Sequence, residues 1–320
     1  MESIGTWWMW AGFLIFVFLV LGLDIFLLGK SGAKRVSVRH ALLWVLTWFL
    51  CATVFGLLLW GYLAETQNVF VANQKALEFF TGYLIEETLS TDNMFTILMI
   101  FTYFLVPAEY QRRVLLYGVL GAIVFRLLMI LGGVWLVSQL HWILYVFGLF
   151  LVFTGAKMFF PEDEQKDLEK NPVLRWSRRF LRVTKEFHNE KFFIKKDTLY
   201  YVTPLFLVLI LVEVSDLVFA LDSIPAIFAV TNDVFIIFTS NIFAILGLRA
   251  LYFLLVNAAE RFHFLKYGIA VMLIFIGLKM LIESWIDIPI LLALGILVLI
   301  LGGTVMLSLL LPPKVSAGKK

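Results

Sequence analysis

Apolar residues in this sequence form long runs, and the short breaks between the runs carry most of the polar and charged residues. A helix needs about 20 apolar residues to cross the hydrocarbon core of a bilayer. By that measure the pattern predicts about nine membrane-spanning helices and an all-α, polytopic fold in a single transmembrane domain, residues 1–320. The predicted spans are 7–28, 41–63, 76–106, 114–137, 143–160, 199–230, 234–256, 264–282 and 288–311.

Composition agrees with a membrane protein. Hydrophobic residues make up 62% of the chain and charged residues 15%, against roughly 45–50% and about 25% in soluble domains. A soluble fold cannot bury that excess, so we expect it to face lipid. The net charge of +3 is too small to indicate a nucleic-acid partner. The chain has one cysteine, Cys51, which excludes an intramolecular disulfide and a dithiol redox centre.

Basic residues alternate between successive loops. The first loop is rich in Lys and Arg, and the long segment 161–198 holds ten of them, whereas the loops around residues 65–75, 139–141 and 231–233 carry no excess. Cytoplasmic loops are enriched in Lys and Arg. The pattern therefore predicts an external N-terminus and a cytoplasmic C-terminus. It also predicts that 161–198 is a cytoplasmic loop, solvated or lying on the membrane surface.

Charged residues inside the predicted spans recur in two ordered sets. Each set consists of a span with two acids, then a span with an arginine, then a span with a lysine. The first set is Glu86 and Asp92, Arg126, and Lys157; the second is Asp216 and Asp222, Arg249, and Lys279. The octapeptides 151–158 and 273–280 also match at Leu, Phe, Gly, Lys and Met. Because each copy has three helices, the two copies insert with opposite orientation. The sequence thus predicts an inverted 3+3 repeat, about 76–160 and 199–282, as in many secondary transporters.

Carboxylates concentrate in the two acidic spans, at Glu86, Glu87 and Asp92 and at Glu213, Asp216 and Asp222. Each costs about 2.5–3.5 kcal/mol at the centre of a membrane helix, so such residues indicate function. The two spans, 31 and 32 residues long, would each run about 47 Å as straight helices, against a core of about 30 Å. The two helices must therefore either tilt strongly or break. Six residues turn a helix by about 600°, which places the two acids of each span about 240° around from one another, and this favours a break between them.

The two predicted breaks differ in their sequence signals. Pro225 supplies a cause in the second span, because it lacks the N–H that would bond the carbonyl of Leu221. The first span has no proline at the corresponding place, only Ser90, Thr91 and Asn93, so the sequence leaves open whether that helix breaks. Unwinding would bring both carboxylates of a span toward one cavity.

Oxygen ligands of this kind suit hard divalent cations such as Mn²⁺, Ca²⁺ and Mg²⁺. The alternative is that the acids only neutralise the four basic residues of the spans, Arg126, Arg249, Lys157 and Lys279. We expect a mixed arrangement, in which each arginine tethers one carboxylate while the others remain for metal. Asp24, near the cytoplasmic end of the first span, is either a ligand where the ion leaves the cytoplasm or a helix-end residue in contact with water.

Four stretches resemble the TerC family of integral membrane proteins, and within it the Alx-type members. They are 86–93 (EETLSTDN), 212–228 (VEVSDLVFALDSIPAIF), 239–249 (TSNIFAILGLR) and 265–270 (LKYGIA). The resemblance covers about residues 10–311. It implies a bacterial inner-membrane protein that exports manganese from the cytoplasm and is related to the LysE exporters. It also implies a ligand set of Asp24, Glu86, Asp92, Glu213, Asp216 and Asp222, with Asn93 and Ser223 beside them. Glu87 departs from the family pattern, which makes it a weaker candidate.

We therefore expect a secondary exporter of a divalent cation, Mn²⁺ first, rather than an enzyme, with no prosthetic group. Moving a divalent ion outward against 100 mV costs about 4.6 kcal/mol. No nucleotide-binding loop occurs in the sequence, so the expected energy source is proton antiport, since clustered carboxylates exchange protons for metal. The other hypotheses are a membrane redox modulator and a non-transporting scaffold that supports metalation of exported proteins. The sequence predicts no oligomeric state.

Overall fold

The computed structural model describes residues 3–30, 38–140, 142–159, 182–184, 186–196, 199–256, 264–282, 285–286 and 288–310. These residues contain nine α-helices and one β-hairpin. The helices are α1 (Trp7–Lys30), α2 (Val38–Thr66), α3 (Val69–Tyr103), α4 (Ala108–Gln139), α5 (Ile143–Lys157), α6 (Pro204–Phe228), α7 (Val234–Val256), α8 (Leu265–Ile282) and α9 (Ile290–Leu310). The predicted all-α, polytopic fold is thereby confirmed.

Among the described residues, five helices are long and apolar enough to span a membrane by length and composition: α2, α4, α6, α7 and α9. Their burial sorts them into an inner and an outer layer. The most apolar window of α7 is 89% buried, whereas those of α2 and α9 are 17% buried. Helix α7 therefore lies in the centre of the bundle, and α2 and α9 turn most of their apolar surface outward, as lipid-facing helices do.

The segment before α6 is a hairpin and corrects the predicted span 199–230. Strands β1 (Phe193–Lys196) and β2 (Leu199–Val202) pair antiparallel, with Phe193 opposite Val202. The helix begins only at Pro204, which stands in its first turn after Thr203, a position that suits a residue without an N–H. The helix is thus 25 residues long, about 38 Å, and it needs no break to fit the membrane.

Both acidic helices are continuous. The break predicted at Pro225 in the second acidic span is therefore wrong, and the first span, whose break the sequence left open, also forms an unbroken helix. Helix α3 runs through all of Val69–Tyr103, and α6 continues through Pro225. In α3 the hydroxyls of Thr88 and Thr91 donate to the carbonyls of Leu84 and Glu87, so these polar side chains bond within the helix. A continuous helix also leaves fewer backbone groups unbonded in lipid.

Packing fixes the relative directions of several helices. Gly148 of α5 lies against Gly277 of α8, and Gly155 lies against Ala270, so α5 and α8 are antiparallel. Helices α3 and α6 are also antiparallel. Glu78, near the start of α3, bonds Thr231, just after α6. The predicted inverted repeat requires both relations. The repeat itself, and the domain bounds based on it, stay predictions.

Contacts between loops agree with the predicted sidedness. Asp233, in the loop between α6 and α7, accepts hydrogen bonds from the Ser3 hydroxyl at 3.0 Å and the Ile4 amide at 2.8 Å. Arg113, at the start of α4, pairs with Glu190 at 3.4 Å. The first pair joins two segments predicted to be external and the second joins two predicted to be cytoplasmic. Which face is cytoplasmic stays a prediction.

Part of the predicted cytoplasmic loop 161–198 is described and is ordered against the helices. The Thr203 hydroxyl donates to the carbonyl of Lys191 at 2.7 Å, and Val183 forms an isolated bridge with Val202. Phe192 is 9% exposed and packs in a cluster with residues of α3, α4, α6 and α7. The described end of this loop is therefore attached to the bundle rather than freely solvated.

Candidate cation site

Arg126 of α4 lies at a point where four helices meet. Its side chain is 1% exposed. It forms a salt bridge with Glu86 of α3 and a bidentate contact with Asp216 of α6, with Nη2–Oδ1 at 3.1 Å and Nε–Oδ2 at 3.4 Å. Its Nη1 also donates to Oδ1 of Asn241, on α7, at 2.6 Å. We call Arg126, Glu86, Asp216 and Asn241 the central cluster.

The central cluster satisfies the main requirement for a buried arginine, which is pairing with carboxylates and further hydrogen bonds. Its formal charge is −1 when both carboxylates are ionised. The prediction that each arginine tethers one carboxylate is wrong for Arg126, which contacts two. Arg126 is the only basic member of the cluster, while Glu86 and Asp216 come from the two predicted copies of the repeat.

Several polar atoms around the central cluster are buried without a hydrogen-bond partner among the described residues. Glu86 uses Oε1 for Arg126 and for a 3.4 Å contact with the Ser90 hydroxyl, while its Oε2 has no partner. Asn93, 4% exposed, donates from Nδ2 to Asp216 at 3.5 Å, and its Oδ1 has no partner. Carboxylate and amide oxygens are hard donors that suit divalent cations. The central cluster and the adjacent Asn93 thus have oxygens available for a cation.

Glu213 and Glu87 lie beside the central cluster and point to different neighbours. Glu213 precedes Asp216 by one helical turn, and its carboxylate packs directly against Gly121 of α4, where there is no space for a Cβ atom. The Oε2 atom of Glu213 is buried without a hydrogen-bond partner among the residues described. The carboxylate of Glu87 instead faces Gly247 of α7. Glu213 therefore shares the α4 side of α6 with Asp216.

Asp222 is separated from the central cluster. It accepts a 3.4 Å hydrogen bond from the Thr154 hydroxyl of α5, whereas Asp216 faces α4. The predicted convergence of Asp216 and Asp222 on one cavity is therefore wrong, because a continuous α6 keeps their side chains about 120° apart around the helix axis. Ser223, 2% exposed, has a buried hydroxyl without a hydrogen-bond partner in the described part of the chain.

The other predicted site residues fall in three groups. The side chains of Asp24 and Asp92 lie outside the described residues. Lys157 and Lys279 stand in the last turns of α5 and α8, and Lys279 donates to the carbonyl of Ala229 at 2.7 Å. Arg249 is buried in α7, 4% exposed. Within the part of the chain that is described, no three His, Cys, Asp or Glu side chains form a group that could hold a metal ion.

Sequence reasoning missed two buried polar residues. Asn241 is fully buried and contacts Arg126. The sequence feature that could have indicated it is an amide side chain within an otherwise apolar predicted span. Glu78, 4% exposed, accepts from Lys75 at 2.8 Å and from the Thr231 hydroxyl at 2.6 Å. It lies in the predicted span 76–106, but the candidate carboxylates named from the sequence do not include it. Its position three residues after Lys75 was the available signal.

Comparisons with known proteins connect the chain to a family. The sequence profile of the integral membrane protein TerC family matches residues 71–316. A protein of Salmonella typhi described as a candidate membrane-bound redox modulator, Alx, is 52% identical over 308 residues, which cover 96% of both chains. Its Escherichia coli K12 counterpart is 53% identical over 296 residues, 92% of both chains. A membrane protein of Myxococcus xanthus is 42% identical, over 96% of this chain and 94% of its own. No solved structure matches.

Proposed function

Given that the chain belongs to the TerC family of integral membrane proteins, we propose that it is a secondary transporter that exports a divalent cation, Mn²⁺ first, from the cytoplasm. The proposal includes a bacterial inner-membrane location with an external N-terminus and a cytoplasmic C-terminus. Its partners are the lipid bilayer, the divalent ion and protons.

The central cluster, together with the adjacent Asn93, is the observation that carries this proposal. Two carboxylates and two amides from α3, α6 and α7 meet in the middle of the bundle around one arginine. Carboxylates inside a membrane are energetically costly, and in other proteins they mark the pathways of ions. The unpartnered oxygens of Glu86 and Asn93 match the donor type that Mn²⁺ prefers. We take Glu86, Asp216 and Asn93 as the core ligands and keep the remaining predicted acids as candidates.

Proton antiport is the proposed energy source. Export of a divalent ion against 100 mV costs about 4.6 kcal/mol, and an inward flow of two or more protons per ion offsets that cost. Carboxylates in a region of low dielectric accept protons when the metal leaves. We therefore expect the predicted carboxylates of the two acidic helices, taken together, to exchange protons for the metal ion.

Transport by reconstituted protein tests the proposal. Proteoliposomes that contain the full chain and are loaded with Mn²⁺ are expected to release it when a proton gradient is directed into the vesicles. Asp216→Asn is expected to lower the rate at least about tenfold, because a charge-assisted contact contributes about 1.5–3 kcal/mol. Glu190→Gln makes the same chemical change on a carboxylate that is 39% exposed and lies away from the central cluster, and it is expected to keep the wild-type rate. Absence of gradient-dependent release from the wild type would contradict the proposal.

A redox function is the second candidate, and only the description of the Alx relatives favours it. Cys51 is the single cysteine of the chain and lies half-buried in α2. One thiol cannot form the internal disulfide that a dithiol modulator uses. Cys51→Ala separates the two functions: a transporter keeps Mn²⁺ efflux in this variant, whereas a thiol-based modulator loses its activity. A non-transporting scaffold would tolerate both Cys51→Ala and Asp216→Asn.

A further inference from the structure

Arg126 occupies the two carboxylates that a divalent ion at the centre of the bundle would need. Its guanidinium makes a bidentate contact with Asp216 and a salt bridge with Glu86. These bonds use oxygen lone pairs that a hard cation would coordinate. Two cations on the same pair of carboxylates also repel each other strongly in a region of low dielectric. Binding of a divalent ion through the oxygens that Arg126 contacts thus requires that the guanidinium move.

Glu213 provides a second acceptor for the guanidinium. It lies three residues before Asp216 on α6, so the two carboxylates are neighbours on one helix face. Its carboxylate packs against Gly121, five residues before Arg126 on α4. Side chains of a helix point toward its N-terminus, so the flexible side chain of Arg126 extends in the direction of Gly121. The Oε2 of Glu213 is buried without a hydrogen-bond partner among the described residues.

We propose that Arg126 is a tethered cation that exchanges with the transported ion. Without a divalent ion, its guanidinium pairs with Glu86 and Asp216; when the ion binds these carboxylates, the guanidinium turns to Glu213. This inference rests on the proposed function, because it concerns the same site. Return of the guanidinium to Glu86 and Asp216 would then expel the ion. The Oδ1 of Asn93, which has no partner among the described residues, remains as a further ligand while the exchange takes place.

Competition by free guanidinium tests the exchange. Mn²⁺ is titrated calorimetrically into the wild type and Arg126→Ala, each in millimolar guanidinium chloride, far below denaturing concentrations, or in equimolar KCl. In KCl the variant is expected to bind Mn²⁺ at least about tenfold more tightly than the wild type, because no tethered cation competes. Guanidinium should weaken Mn²⁺ binding to the variant only. Equal or weaker binding by the variant in KCl, or an equal guanidinium effect on both proteins, would overturn the inference.

A second variant guards against poor folding of Arg126→Ala, which leaves two buried carboxylates without their cation. Glu213→Gln keeps every contact of Arg126 seen in the structure, so it is expected to fold. Mn²⁺ binding should weaken about tenfold, since the displaced guanidinium loses its charged acceptor. In the background of Arg126→Ala, the same change should have no effect on binding. An equal loss in both backgrounds would show that Glu213 binds the metal itself and would refute its role as acceptor.

The wild-type measurements separate failure of this inference from failure of the proposed function. If the wild type neither binds nor transports Mn²⁺, the proposed function is wrong. If the wild type transports Mn²⁺ and Arg126→Ala shows no guanidinium-sensitive binding, only the exchange is wrong. Arg113→Gln, which removes a guanidinium that is paired with Glu190 near the surface, serves as the matched control and is expected to bind Mn²⁺ as the wild type does.

Discussion

The contact between α5 and α8 allows a stability prediction for Gly277→Ala. Gly277 and Gly148 face each other, and each approaches the backbone carbonyl of the other. Such close approach is typical of membrane helices that associate through small residues. Since lipid is as apolar as the helix surfaces, this packing holds the two helices together. A methyl group at Gly277 is therefore expected to push them apart.

The size of the effect follows from three distances. A Cβ atom at Gly277 would lie 2.6 Å from the Gly148 carbonyl oxygen, 2.8 Å from Cγ2 of Val152 and 2.9 Å from the Val152 nitrogen. Carbon–oxygen contacts are normally about 3.3 Å or longer, so the helices must separate by roughly 0.7 Å. Two of the three atoms belong to the backbone and cannot rotate away. Overpacking of this kind costs about 1–3 kcal/mol.

Thermal unfolding of the purified protein in detergent measures this cost. The matched control is Gly295→Ala in α9, where nothing lies within 4 Å of the added Cβ. Both variants gain the same helix propensity of about 1 kcal/mol, so the difference between their Tm values reports the packing cost alone. We expect Gly277→Ala to unfold roughly 2–10 °C below Gly295→Ala. Equal Tm values for the two variants would refute the argument from close packing.

Two further predictions concern the candidate site and the membrane surface. Gly121→Ala is expected to lower Mn²⁺ transport, because its Cβ would displace the flexible carboxylate of Glu213. Its Tm is expected to stay near that of the control Gly132→Ala, whose added Cβ meets nothing within 4 Å. Equal Mn²⁺ transport by the two variants would contradict this prediction. Arg113 and Glu190 form a salt bridge, and their side chains are 34% and 39% exposed. A double-mutant cycle of unfolding free energies is expected to give a coupling energy below about 1 kcal/mol for this pair. A larger coupling energy would contradict a weak surface salt bridge.

The number and type of the helices in the described part of the chain could be predicted from the sequence because lipid imposes a minimum length on each apolar run. The length of the apolar run does not show at which residue α6 begins. Leu199–Val202 is apolar and aromatic and continues directly toward the helix, so it extends the same run although it forms a strand. The local signal for the true boundary was Pro204, which begins helices more readily than it continues them.

The candidate site was predictable in its members but not in its pairing. Glu86, Arg126 and Asp216 stand out because charges inside spans are rare. Their mutual contacts depend on how α3, α4 and α6 cross, which the sequence of one helix does not encode. The expected break in α3 and α6 failed for a related reason. Run length and the angle between acids do not reveal that Thr88 and Thr91 bond within their own helix.

The bond between Ser3 and Asp233 has a consequence for biogenesis. Its two ends are separated by 230 positions in the chain. Helices emerge from the ribosome in order, from the N-terminus onward. The segment before α1 must therefore wait until α6 and the following loop have been synthesised before it reaches its final partner. A nascent chain that stops before residue 233 lacks this anchor, so α1 would have to stay inserted through its own apolar length and its contacts with earlier helices until then.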